Sequence, residues 1–281
     1  MAKTLVLGAS GYLAHRLVPL ACARAEVTAV SRTRPDTDTL ASAAWVAADL
    51  CDADAVERIV AGVGPDVIIN AAAINPGQAP TFEVNTLGAT NVATAAHRAG
   101  VRLVHVSSDV VFSGNDAPYG DDAAPDPVND YGRSKAEGEG LVAASCPSAA
   151  IVRTSLIYGL DRIDRGTAGF IDRLNNGELL NLWSDAIRQP VWVDALAHGL
   201  IDLALDHVNV TGTLNLAGGE AMSRAAFGRA MLQWWGIETA NIVEGPMDGA
   251  NAPRDLSVVQ TKASALGLPL PGVTEVLAAN R

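Results

Sequence analysis

The chain has 281 residues, 49% of them apolar and 18% charged, which excludes disorder as its overall class and leaves length for one large core or two small domains. Acidic residues outnumber basic ones by 31 to 20, a formal charge of −11, and so acidic a chain is a poor counterion for nucleic acid or an anionic membrane. Cys22, Cys51 and Cys146 resemble neither a disulfide framework nor a zinc set, and no apolar run approaches the ~20 residues that span a bilayer, so a soluble protein of a reducing, cytoplasmic compartment is expected.

Taken in order, short β-branched runs alternate with helical patterns up to residue 155. Residues 4–7 read as a strand, 8–11 as a turn, and the next stretch as a helix to about residue 24 that Pro19 should kink or shorten. Strands follow at 27–31 and 44–48, a helix capped by Asp52 at 52–61, a strand at 66–70, a long helix at 81–99 and a strand at 102–107. A helix from about 130 to 144 and a strand at 150–154 complete this half. Runs such as Val67-Ile68-Ile69 are continuously apolar, as strands covered on both faces of a parallel sheet are. The alternation predicts an α/β, Rossmann-type doubly wound sheet over residues 1–155 that binds a dinucleotide. A smaller mixed α/β region at 156–281, interleaved with the first, is expected to supply the substrate side. There, turn-rich stretches at 161–169, 175–177 and 245–253 separate helices at about 194–206 and 223–235.

Gly8-Ala-Ser-Gly11-Tyr-Leu-Ala14 follows the first strand and opens the first helix. Glycines there let backbone N–H groups approach a pyrophosphate at the helix N-terminus, although a lone glycine pattern also fits an ordinary turn. The second strand ends in Ser31-Arg32-Thr33-Arg34 with no acid to take a ribose diol, and a guanidinium suits a 2′-phosphate, so NADPH is favoured, with NADH the alternative. Solvated loop arginines are the competing reading. Asp49-Leu50 is placed for the adenine edge, where the aspartate would serve equally as a helix cap.

Of 20 basic residues only Lys3, Lys135 and Lys262 are lysines, and one stands in Tyr131-Gly-Arg-Ser-Lys135. Spacing of four puts phenol and ammonium on one helix face. Such a pair can hand a proton to a carbonyl oxygen as hydride reaches the carbon, and the lysine can also hold a ribose. Ser107-Ser108-Asp109 closes a buried strand, and ligands of open parallel sheets bind beyond the strands' C-terminal ends. Ser108 is placed to orient a substrate carbonyl; alone, the tripeptide is also an ordinary turn.

The glycine loop, Asn70-Ala-Ala-Ala73, Ser107-Ser-Asp-Val-Val-Phe112, Pro127-Val-Asn-Asp-Tyr131-Gly-Arg-Ser-Lys135-Ala-Glu-Gly-Glu139 and Arg153-Thr-Ser-Leu-Ile-Tyr-Gly159 together resemble the extended short-chain dehydrogenase/reductases, nearest to the dTDP-4-dehydrorhamnose reductase-like branch. The resemblance implies Tyr131 as acid/base, Lys135 as its partner and ribose clamp, and Ser108 as the carbonyl-orienting hydroxyl. Expected cofactor contacts are Gly8, Ser10, Gly11, Tyr12, Leu13, Ser31, Arg32, Asp49, Leu50, Ala71, Ala72 and Ser107, with Tyr131 and Lys135. Arg188-Gln-Pro-Val-Trp-Val-Asp194 and Arg254-Asp-Leu-Ser resemble segments whose arginines face a nucleotide-sugar diphosphate, so Arg188 and Arg254 join Ser108 and Asp109 as substrate residues. Departures are Ala14 for a glycine, and Val110 and Leu156 where the sugar reductases usually carry aromatics.

An NADPH-dependent keto sugar nucleotide reductase is the leading expectation. An epimerase or dehydratase is one alternative, weakened because dehydration calls for a second acid where Val110 stands. A non-catalytic NADP-binding regulatory subunit is the other. The five histidines show no ligand spacing and no metal site is expected; His105 reads as a core histidine. A homodimer is left open as the assembly.

Overall fold

The computed structural model describes residues 1–74, 81–248 and 252–281. In chain order its elements are β1 (Ala2–Leu7), α1 (Ala14–Cys22), β2 (Ala25–Ser31), α2 (Thr37–Leu40), β3 (Ala44–Ala47), α3 (Ala53–Val63), β4 (Val67–Asn70), α4 (Thr81–Glu83), α5 (Ala89–Ala99), β5 (Arg102–Ser108), α6 (Asp130–Ser145), β6 (Ala150–Thr154) and β7 (Ile157–Tyr158). There follow α7 (Arg165–Asn175), β8 (Leu180–Trp183), β9 (Ile187–Arg188), β10 (Val191–Trp192), α8 (Val193–Leu205), β11 (Gly212–Asn215), β12 (Met222–Ser223), α9 (Arg224–Trp234), β13 (Ile242–Gly245), α10 (Thr261–Ala265) and α11 (Val273–Ala279).

Seven strands form one parallel sheet in the order β11-β6-β5-β4-β1-β2-β3. One face packs α1 and α8 around Leu17, Val18, Leu196 and Leu200; the other packs α3, α5 and α6 around Val56, Val92 and Val142. Every residue of β4 is buried, as a strand sandwiched between two helical layers must be. The order reverses between β1 and β4, which opens a crevice at their C-terminal ends.

Four expectations change. Helix α1 runs through Pro19 and ends at Cys22, and Ala14 fits its buried face, 1% exposed. The expected long helix at 81–99 carries a π turn at Val84–Gly88. That turn points Asn85 into the loop after β4, where it bonds both backbone groups of Ile74 and the Ser134 hydroxyl. The turn-rich stretch expected at 161–169 instead opens helix α7 from residue 165: Asp164 caps it by accepting from Gly166 N and Thr167 N, and Ile171 and Leu174 join a second small core with β8 and α9. Strand β11, absent from the expectation, extends the sheet beside β6 although it lies 58 residues or more beyond it in sequence. The expected turn-rich stretch at 245–253 includes 249–251, which lie outside the described residues. Among the described residues no helix is long and apolar enough to cross a membrane.

Candidate active site

The crevice begins where β1 meets β4. Gly8 has φ +85°, and a Cβ there would sit 2.6 Å from Ala72 N, so only glycine lets the first loop lie against Ala71–Ala72. The loop hangs on Val30 O through the N–H groups of Gly8 and Ala9, both 3.0 Å, and Gly11 N closes a turn on Gly8 O. Helix α1 carries no acid in its first turn, which leaves its positive end unopposed above Ser10, Gly11, Tyr12 and Leu13. Ala72 N is held by the Asn70 side chain at 3.2 Å.

At the end of β2 the Ser31 hydroxyl donates to Thr33 O and accepts from Trp45 Nε1, so it braces the loop. Arg34, stacked over Trp45 at 5.3 Å, lines a cavity of about 220 Å³ beside Ser10 and Gly11. Arg32 is exposed and outside that lining; its charge is felt at Cys51, on the side of Asp49. Asp49 accepts from Cys51 N at 3.0 Å, forming a turn beside buried Leu50.

Deeper in the crevice, β5 delivers Ser107 and Ser108. Asn129 caps α6 by accepting from Gly132 N, and a Cβ on Gly132 would lie 2.3 Å from Val110 O. That close approach brings the first turn of α6, with Tyr131, onto the Ser108–Val110 segment. Lys135 is 2% exposed and donates to Val106 O at 2.9 Å. Burial pulls its pKa down to about 8, against the charge of Glu139. Glu139 itself is tied to Arg153 of β6 at 2.7 Å, with both side chains under 5% exposed, which fastens α6 to the sheet.

Tyr131 is half-buried, and burial with the charge of Asp109 pushes its phenol up to about 12. The Asp109 carboxylate accepts from Ser155 Oγ at 2.6 Å and from Ser108 Oγ at 3.2 Å; burial raises its pKa while Arg188 opposes the rise. The hydroxyls of Ser107 and Thr154, and of Tyr158 nearby, are buried with no hydrogen-bond partner among the described residues. His105 is buried beside Lys135, its Nδ1 paired with Asn70 at 3.1 Å.

The side chains of Arg188 and Arg254, expected to meet at a substrate diphosphate, turn to different partners. Arg188 is buried and donates to the carbonyls of Ile187, Pro253 and Arg254, whereas Arg254 is 61% exposed and pairs with Asp185 at 2.5 Å. The β9–β12 pairing places a different cation here. Arg224, whose N–H bonds Ala186 O, lies within charge range of Arg188, Asp164 and Asp109, and burial lowers its pKa. The sequence reading gave no place to Arg224 or Asn85 and named Arg34 and Ser155 only within the stretches 31–34 and 153–159, with no role of their own; the fold is what sets all four at the crevice. Among the described residues no three His, Cys, Asp or Glu side chains gather into a group able to hold a metal ion.

Residues 2–270 match the family described as RmlD substrate binding domain. A dTDP-4-dehydrorhamnose reductase of Mycobacterium tuberculosis is 32% identical over 267 residues, 90% of this chain and 81% of that protein. The Danio rerio methionine adenosyltransferase 2 subunit beta is 28% identical over 236 residues, 78% of this chain and 72% of that protein. The solved dTDP-4-dehydrorhamnose reductase of Bacillus anthracis, in complex with NADP, superposes with TM-score 0.81 at 26% identity, covering 99% of this chain and 98% of that one.

Proposed function

From the premise that the chain belongs to the RmlD substrate binding domain family, we propose that it reduces the carbonyl of a keto sugar nucleotide with NADPH. It is an oxidoreductase of the extended short-chain dehydrogenase/reductase type, and NAD(P)H is its cofactor. The glycine cradle at Gly8 and the partnerless Ser107 hydroxyl suit a dinucleotide laid from the α1 N-terminus across to β5. Gly8, Ser10, Gly11, Tyr12 and Leu13 would hold its pyrophosphate, Asp49 and Leu50 its adenine, and Ala71, Ala72, Ser107 and Lys135 its nicotinamide half.

When bound, the nicotinamide supplies hydride to the carbonyl carbon. The observation that carries the reading is the cluster of Tyr131, Ser108, Asp109 and Lys135 at the C-terminal edge of β5. A phenol held near 12 stays protonated at neutral pH and is available to donate to the carbonyl oxygen. Ser108, whose hydroxyl here donates to the Asp109 carboxylate that Ser155 also holds, would turn that O–H to the same oxygen when substrate binds. Lys135, one turn along the same helix from Tyr131 and buried, would hold the ribose of the bound dinucleotide with its ammonium. Arg224, with the buried charge of Arg188 behind it, would hold the anionic part of the substrate, and Arg254, paired outward with Asp185, would not.

The likeness to a protein named as a subunit keeps a purely binding role as the second reading. Such a role has no use for a buried ammonium beside a phenol and an oriented serine. NADPH oxidation with a panel of keto sugar nucleotides tests the choice: turnover of at least one is expected. Tight dinucleotide binding with no turnover across the panel would favour the binding role.

A further inference from the structure

The cavity beside the glycine loop has two walls of different origin. Ser10, Gly11, Thr33, Arg34 and Asp36 come from the first two β–α connections, and Arg162 comes from the loop between β7 and α7, some 125 residues further along. That loop is pinned. Tyr12, within the glycine loop, donates its hydroxyl to Arg162 O at 2.5 Å, and Arg16 of α1 pairs with Asp161 at 2.7 Å. Arg162 is therefore presented to the cavity by contacts with the element that carries the cofactor loop.

Its guanidinium faces Asp36 at 3.5 Å, with both side chains half exposed, a loose surface pair that contributes little by itself. The Asp36 carboxylate is already engaged as the cap of α2, accepting from Thr39 N at 2.7 Å, and the same contact keeps it ionised. One of its oxygens is thus taken by the cap and the other faces Arg162. Arg34 lies over the Trp45 ring, 5.3 Å from its centroid, and brings its guanidinium to the cavity lining. Two cations against one acid leave the cavity with a net positive charge, suited to a dianion and indifferent to a neutral diol.

We propose that Arg162 is a specificity-determining residue for the cofactor: with Arg34 it closes this cavity around a phosphomonoester, the 2′-phosphate of NADPH, exchanging its loose contact with Asp36 for the ligand. The inference rests on the reductase reading above and adds to it that the second region of the chain selects the dinucleotide.

Dissociation constants for NADPH and NADH, measured by calorimetric titration of the full chain, test it. Arg162→Ala should weaken NADPH at least tenfold and leave NADH within twofold. Asp36→Asn retains a capping side chain but removes the competing charge, and should tighten NADPH several-fold. Inorganic phosphate should compete with NADPH in the parent protein and much less in Arg162→Ala. An unchanged ratio of the two constants in Arg162→Ala, with NADH binding intact to show that the fold is retained, overturns the inference alone. Failure of the parent protein to bind either dinucleotide overturns the reductase reading with it.

Discussion

Tyr131 and Lys135 carry opposite perturbations from one cause: burial favours the neutral form, so the phenol rises to about 12 and the ammonium falls to about 8. Tyr131→Phe keeps the ring and removes the donor, and should lower kcat by ~10²–10⁴ with little change in NADPH affinity, read by steady-state rates and titration. Arg224 is the cation whose removal tests the proposed substrate contact. Arg224→Met should raise KM for a sugar nucleotide by roughly 10–100-fold, the loss of a charge-assisted contact of about 1.5–3 kcal/mol. Arg254→Ala, at an exposed ion pair, should move KM less. His105 gives a pH signature. Burial and the charge of Lys135 hold its pKa well below 6.5, so it is neutral when folded and gains a proton more readily when unfolded. Its contribution is complete above pH 6.5 and is lost as pH falls below that value. Urea unfolding at pH 7 and pH 5.5 should show a larger loss in the parent than in His105→Asn.

At the scale of elements, α6 is the piece on which the proposed site depends, because it carries Tyr131 and Lys135 four apart and is fastened at its first turn and its middle. Its first turn needs Gly132 against Val110 O. Gly132→Ala should cost about 1–3 kcal/mol in urea unfolding and lower kcat as well, since Val110 N bonds Ser108 Oγ and must move with it. Gly140→Ala on the same helix meets open space and should instead be stabilising by up to about 1 kcal/mol. Further along, Glu139 and Arg153 form a buried pair, with Arg153 also held by the carbonyls of Asp121 and Ala123 and lying 4.9 Å over Phe112. Glu139→Gln leaves a buried guanidinium without its counter-charge and should cost about 3–5 kcal/mol. Such an outcome would mark the pair as the anchor of the catalytic helix.

For the whole molecule, the sheet and the crevice are one construction. Strand β11 and helix α8, from the second half of the chain, complete the sheet edge and one of its faces, so the two halves of the chain cannot separate without opening the core. A ligand held across the crevice should therefore stabilise the entire chain. NADPH at 100 times its dissociation constant should add about 2.7 kcal/mol, or roughly 5–10 °C in Tm, read by a thermal melt. No shift with either dinucleotide would count against the cofactor reading.

The sequence by itself determined the parallel sheet of the first half, the glycine turn after β1 and the helix on which Tyr131 and Lys135 stand four apart. Each of these is a local signal: an apolar run, a glycine where a turn must form, a spacing of four on a helix. Helix α7 escaped because Gly166 and Gly169 read as turn until Asp164 caps it and its apolar side finds β8 and α9. The π turn escaped because its cause is a bond from Asn85 to Ser134, on a helix 49 residues away. The cations followed the same division. That arginines stand at 34, 162, 188, 224 and 254 is plain from the sequence, but which of them face the crevice was decided by tertiary pairing: Arg254 is drawn outward by Asp185, Arg188 inward by three carbonyls, and Arg162 is delivered by its loop to a cavity built by the other half of the chain. A charge is specified by its residue; where that charge acts is specified by whatever the fold sets against it.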